Sequence, residues 1–293
     1  MAANKLAPLA DSSGVTAACF LAAGGVVVAT LAELPALRDR PGGSGGRQVP
    51  PRFLRHSDEQ TVVGLAAVLR AMDDSALHGE CYDDWGVVAA PVFPGRLGGA
   101  ATFTKFREGG PAVISPHIIP QNSLHSVAGA ISVGLGMHGP NFGIGGGREA
   151  LGEGLTVALS LVGDANLPGL WLVLTQWTPE PVPDGRGSTL TETACLGVAL
   201  ALRAGAGRGA AMRITLPGGN RAGNRDTSPV AGHDAFYSDR SRTAEGQEPL
   251  TELANWLASE SAGRQSARWS FGLPWGGQVE LIREPSYQQA KAA

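Results

Sequence analysis

Three consecutive glycines, Gly145 to Gly147, separate the short extended stretch "NFGI" (141–144) from an apolar-periodic run that begins at Ala150. A glycine turn between an extended segment and a helix admits few arrangements, because the chain must reverse sharply and then start a helix at once. Leu151, Leu155, Leu159 and Val162 recur at helical spacing after it, so a helix is expected over 150–162. The uncharged run "GLWLVLTQW" (169–177), bounded by Pro168 and Pro179, then reads as a buried strand. Strand, turn, helix and buried strand in succession give an α/β architecture. Such a turn would suit a nucleophile, yet no Ser, Cys or Thr stands there and the glycines run directly into Arg148.

The remaining elements fall in line with this class. "SDEQTVVGLAAVLRAM" predicts a helix capped by Ser57, with Gln60 three residues on as its capping-box partner. "WGVVAAPVF" (85–93) predicts a central strand. In "ISPHIIPQNSLHSVAGAISVGLGMHGP", Pro116 and Pro120 predict an extended approach and Asn122 or Ser123 a cap. Leu124, Val127, Ile131 and Leu135 line one helical face, which Gly139-Pro140 closes. "TACLGVALALRAG" and "AAMRITLPGG" predict two more strands, and "PLTELANWLASES" an amphipathic helix. "RWSFGLPWGGQVELIRE" predicts a glycine-rich turn and a closing strand, its Trp and Phe residues packing in the core or at an edge. The Pro- and Gly-rich stretch 40–52 predicts a flexible surface loop, and 218–249, with little to bury, a long loop without order of its own.

The uncharged stretch Ser12 to Ala32 is long enough to cross a membrane. It is mostly Ala and Gly, is split by Gly24-Gly25 and follows Asp11 rather than a basic cluster. A buried strand, a turn and a second apolar element are therefore expected, with no membrane association. A net charge of −3, from 23 basic and 26 acidic residues, excludes the clustered cation excess of a nucleic-acid interface. Three separated cysteines, Cys19, Cys81 and Cys195, offer neither a disulfide framework nor a zinc spacing, so a cytoplasmic setting with no metal and no cofactor is expected. The 293 residues fit a single domain, 1–293.

"GLGMHG" (134–139) matches the dinucleotide fingerprint by letter, but its glycines end a helix instead of opening one, and nucleotide binding is not expected. At the glycine turn, backbone N–H groups of Gly145, Gly146, Gly147 and Arg148 could hold an anion or a developing oxyanion. Alternatively, Arg148 opposes the dipole of the following helix and is offset by Glu149 or Glu153. Of the histidines, His125 beside the apolar stripe and His233 in the long loop are weak catalytic candidates, since no nucleophile is placed with them.

The order of these elements resembles the β-ketoacyl-ACP synthases of the thiolase fold. The family's Gly-Leu-x-Gly-Pro before the nucleophile is similar to "GLGMHGP", and its Ala-x-x-Arg-Gly-Ala stretch resembles the end of Thr191–Ala210. Its Ser-Phe-Gly-Phe-Gly-Gly resembles "SFGLPWGG" (270–277), which adds Phe271 and Gly272 to the candidate binding residues. The resemblance implies a thiolase-like layered α/β fold with a largely complete N-terminal half and a truncated C-terminal half. Counted from Gly139-Pro140, the family's nucleophilic Cys falls on Arg148, whose guanidinium stays protonated and cannot attack a thioester. The family's first histidine motif has no counterpart, and "SPVAGHD" around His233 echoes the second without its Lys.

What the resemblance implies is a ketosynthase-like subunit without catalysis of its own, comparable to chain-length factors, working in fatty-acid or polyketide biosynthesis. Asn141–Ile144 is the strand that pairs across the dimer axis in this family, which implies an active ketosynthase or a second copy as partner. Acyl carrier protein is a further implied partner, with Arg203, Arg208 and Arg213 as a basic patch. Two other readings stay open: an acyl-thioester transfer or hydrolysis enzyme using the glycine turn with His125 or His233, and a purely structural scaffold.

Overall fold

A computed structural model describes residues 15–42, 49–50, 52–73, 77, 79–164, 167–205, 210–216, 248–261 and 268–283. The uncharged N-terminal stretch forms one strand, β1 (Val15–Thr30), and not the strand, turn and second element expected from Gly24-Gly25. The glycines serve packing instead. A Cβ on Gly25 would stand 2.1 Å from the Ala67 carbonyl oxygen, on a helix laid across the strand.

The further strands are β2 (Gly86–Pro91), β3 (Asn141–Gly143), β4 (Leu170–Thr178) and β5 (Ala194–Arg203), followed by β6 (Ala210–Leu216), β7 (Arg268–Gly272) and β8 (Gln278–Arg283). All lie in one eight-stranded sheet of order β3-β2-β4-β5-β1-β6-β8-β7. β2 pairs in parallel with β3 and β4, and the other pairs are antiparallel. β1 sits between the two parts: Phe20 to Thr30 pairs with β5, and Val15 to Leu21 pairs with β6. Outward from it the sheet reads alike both ways, as β1-β5-β4 and β6-β8-β7, and a helix precedes both β4 and β7. The first part continues through β2 and β3, while the second stops at β7. Among the described residues the C-terminal half thus shows no strands that would correspond to β2 and β3.

Helices α1 (Leu34–Asp39), α2 (Glu59–Met72) and α5 (Ser126–Leu135) cover one face of the first half. There Trp85, Trp171, Leu65 and Ile131 are fully buried. The other face is covered by α6 (Ala150–Asp164) and α7 (Pro249–Ser261), which share one core with β5, β1, β6 and β8. The expected apolar stripe of α6 is buried at Leu151, Leu155, Leu159 and Val162. On the second half, Met212, Ile214, Val279, Leu281 and Trp269 point into this core, and alternate residues such as Thr215, Gln278 and Ser270 are exposed. That alternation belongs to a sheet with one wet face.

Several boundaries shift. α2 begins at Glu59 and is capped by Asp58, whose Oδ1 accepts from Thr61 N at 3.0 Å, not by Ser57. Gln60 points inward and closes no capping box. The prolines before α5 do not keep the chain extended, for Pro120 lies inside a one-turn helix, α4 (Ile118–Gln121). Asn122 and Ser123 bond back to Ile118 O and Pro120 O, so neither caps α5, and Leu124 falls outside that helix. An unexpected helix, α3 (Arg96–Gly109), follows β2. The expected loop 40–52 falls partly outside the described residues, and the loop 218–249 almost wholly so. No helix among the described residues is long and apolar enough to cross a membrane.

Candidate functional site

The glycine turn is an extension of the sheet. Ile144 N–H donates to Ala89 O at 2.9 Å, Gly146 N–H donates to Pro91 O at 3.1 Å, and Phe93 N–H donates to Gly146 O at 3.3 Å. Residues 141–146 therefore keep company with β2 past the end of both strands. Gly145 and Gly146 adopt φ of 80° and 89°, the left-handed region in which a side chain is strained. The turn is also pressed from outside: a Cβ on Gly146 would meet Leu124 Cδ2 at 2.5 Å, and one on Gly143 would meet Leu124 O at 2.1 Å. Because its N–H is committed to Pro91 O, Gly146 is not a free donor for an oxyanion.

Arg148 is exposed two residues before the first residue of α6, and its guanidinium forms no hydrogen bond or ion pair with a described residue. Neither Glu149 nor Glu153, the expected offsets, pairs with it. Glu149 is instead held above the ordinary carboxylate range by burial and then by the charge of Glu153. The carboxylate that feels Arg148 is Glu180, just past β4. Burial raises the Glu180 pKa most, Arg96 opposes this from an Nε–Oε1 distance of 3.1 Å, and Arg148 opposes it further.

A polar frame supports the turn from below. Gln60 Nε2 donates to Val92 O at 2.6 Å, and Gln60 Oε1 accepts from Thr175 Oγ1 at 2.7 Å. Asp58 Oδ2 accepts from Gly95 N at 3.3 Å, so one carboxylate fixes the starts of both α2 and α3. Phe93 takes a φ of 47°, unusual for a residue with a side chain, and the Arg96 guanidinium lies 5.2 Å from its ring centroid. Phe93, Arg96, Glu180 and Gln60 were not foreseen as site residues. They come from separate segments, and the sequence points away from Gln60, which reads there as a capping-box residue.

The structure brings the two expected binding stretches to the same turn of helix. Gly145 abuts Ala150 at the start of α6, and a Cβ on Gly152 would lie 3.2 to 3.4 Å from Trp275, Leu273 and Phe271 of the β7–β8 hairpin. Gly272 is exposed in that hairpin. His125 stands at the N-cap of α5 with no side-chain capping bond, its ring beside Gly129. His233 lies outside the described residues. Neither buried cysteine offers a ready nucleophile: burial pushes the Cys19 thiol up to about 12 and the Cys195 thiol well above its ordinary value. Among the described residues no group of three His, Cys, Asp or Glu is placed to hold a metal ion. Of the arginines expected as a basic patch, Arg203 is engaged by both Glu80 oxygens, at 2.8 and 3.1 Å, Arg213 lies opposite Glu280 in the sheet, and Arg208 is not described.

No protein-family model and no curated protein matches the sequence. Among solved structures, a chain of the ishigamide ketosynthase/chain length factor is similar at 15% identity and a TM-score of 0.54, over 91% of this chain and 98% of that one. The Xenorhabdus doucetiae ketosynthase ApeO in complex with its chain length factor ApeC gives 15% identity and a TM-score of 0.45, over 92% and 97%. A Burkholderia phymatum β-ketoacyl synthase gives 13% and 0.47, over 85% and 71%. The first of these establishes the fold as that of ketosynthase and chain-length-factor proteins, matched nearly end to end.

Proposed function

We propose that the chain is a single-domain, non-catalytic ketosynthase-like subunit that pairs with an active ketosynthase in fatty-acid or polyketide biosynthesis. The observation that carries this reading is Arg148, exposed and unreactive at the end of a glycine turn that retains its strand-to-helix geometry. A thioester cannot be carried there. The commitment of Gly146 N–H to Pro91 O speaks against an oxyanion role for the same turn. A similar structure is a chain of a ketosynthase/chain length factor, and on this reading the present chain supplies surface in place of chemistry. The surface is the outer edge of β3 and the following Ile144; this edge pairs with no other described strand and so invites one from another subunit. Acyl carrier protein is the further partner this role entails; the engagement of Arg203 by Glu80 argues that its docking does not use the arginine trio.

The test is co-expression with each intact ketosynthase of the source genome, followed by light scattering and a condensation assay. A stable one-to-one complex is expected, in which the ketosynthase Cys is essential and Arg148→Ala leaves turnover unchanged. A chain that stays monomeric beside every ketosynthase would sink the reading.

A further inference from the structure

Helix α3 is built in a way that its own fold does not sustain. Of its 14 residues only Leu97 is buried. It contains Gly98, Gly99 and Gly109, each costing about 1 kcal/mol of helix propensity relative to Ala. Thr102 Oγ1 bonds back to Gly98 O, a contact that competes with the helical ladder. Isolated helices shorter than about 12–15 residues are marginal in water even when rich in Ala, and the 14 residues of α3 include three glycines. Apart from Leu97, α3 is held chiefly at its first turn, through Asp58 and Gly95, through Arg96 and Glu180, and by Asn122 beside Gly98; further along, small residues touch the rest of the fold, Ala101 and Thr104 beside the loop glycines Gly187 and Gly185 and Gly109 beside Val113. Its second half projects Phe103, 76% exposed, and Phe106, 51% exposed.

The exposed apolar groups continue from there. Val113, Ile119 and Leu124 follow along the chain that leads through α4 to the sheet edge, where Phe142 on β3 is 44% exposed. At their exposures these six side chains together offer on the order of 600 Å² of apolar surface, the size of the largest apolar patch a monomer ordinarily shows. Together with the backbone edge of β3 this approaches the roughly 800 Å² that each partner buries in a stable complex.

We infer that α3 is a partner-completed helix: its C-terminal two turns, with Phe103 and Phe106, are ordered by burial against the ketosynthase subunit that also pairs with β3. The inference rests on the pairing proposed above and adds a coupling to it. Binding orders α3, and because Gly95 and Arg96 at its start are tied to Asp58 and Glu180, the ordered helix in turn fixes the frame around the glycine turn.

Hydrogen exchange on the full chain, alone and in complex with the ketosynthase, tests it. Exchange across 100–109 is expected to be fast in the isolated chain and to slow by about tenfold or more in the complex. The double variant Phe103→Glu, Phe106→Glu is expected to weaken the complex by about thirtyfold or more while hydrogen-exchange protection of α2 and the sheet persists, since both side chains lie outside the core. A complex that forms with α3 exchange unchanged overturns the inference and leaves the pairing intact. Strong protection of α3 in a chain shown to be monomeric also overturns it. Protection that appears only as the isolated chain self-associates assigns the surface to a second copy and overturns it too. Failure to form a complex with any ketosynthase removes both readings together.

Discussion

Thr175 donates its hydroxyl to Gln60 Oε1 at 2.7 Å although 115 residues separate them. The bond joins α2 to β4, and the opposite end of the same amide holds Val92 O, directly beside the strand extension that carries Gly146. Both side chains are buried, so removing one strands the other. Thr175→Val is expected to cost about 1–3 kcal/mol, read as a lower denaturant midpoint at unchanged slope. Adding Gln60→Leu should cost less than the sum of the single changes; strict additivity would mean that the bond contributes nothing.

Two glycines make opposite cases. Gly25→Ala drives a methyl into the Ala67 carbonyl, 2.1 Å away, and should cost about 3 kcal/mol because backbone must move. Gly163, late in α6, has no neighbouring atom within 4 Å of a built Cβ. Gly163→Ala should stabilise by about 0.5–1 kcal/mol through the lower entropy of the unfolded chain. Thermal unfolding of the pair against the parent is the measurement, and a stable Gly25→Ala would show that β1 does not lie under α2.

Burial lifts Asp58 above the ordinary carboxylate range, against the bonds from Thr61 and Gly95 that favour its ionised form. A carboxyl with a raised folded pKa holds its proton more tightly when folded. Its contribution to stability is complete below the unfolded pKa, near pH 4, and is lost as pH rises through the folded value. Asn at this position does not titrate. Relative to the parent, Asp58→Asn should therefore gain stability as pH rises from about 4 to about 7, whatever its fixed offset. Parallel stability curves over that window would show that Asp58 titrates alike in both states.

Thiol chemistry reports on the same core. Cys81 is exposed, whereas Cys19 and Cys195 are buried with thiols that resist ionisation. One of the three cysteines should react rapidly with iodoacetamide at neutral pH, and all three after unfolding. Rapid labelling of Cys195 in the native chain would contradict the burial of β5 beneath α2.

Much of the architecture is legible in the sequence because burial on both faces leaves unbroken apolar runs, as in β4 and β5, and burial on one face leaves a 3.6-residue stripe, as in α6 and α7. β1 is misread for a local reason. Gly24-Gly25 looks like a turn, and only the proximity of Ala67 explains it as a close approach. α3 has no apolar stripe facing the core to announce it, since only Leu97 points inward and both phenylalanines face outward. The turn itself is visible as three glycines followed by Arg148. The carboxylate that answers Arg148 is not, because Glu180 arrives from beyond β4 and joins Arg96 only in space.

β1 is the first described element, and both of its strand neighbours come late. Its 16 residues carry no charge, and the strand that flanks it on one side begins at Ala194, with the other later still. A ribosome adding about 5–20 residues per second needs roughly 10–30 s to travel from Thr30 to Ala194. Through that interval a long, neutral, β-prone segment exists with neither of its strand neighbours, and of the elements that pack on it only α2 is made early. The hazard in producing this protein is thus set by translation time and chaperone supply more than by the stability of the finished fold.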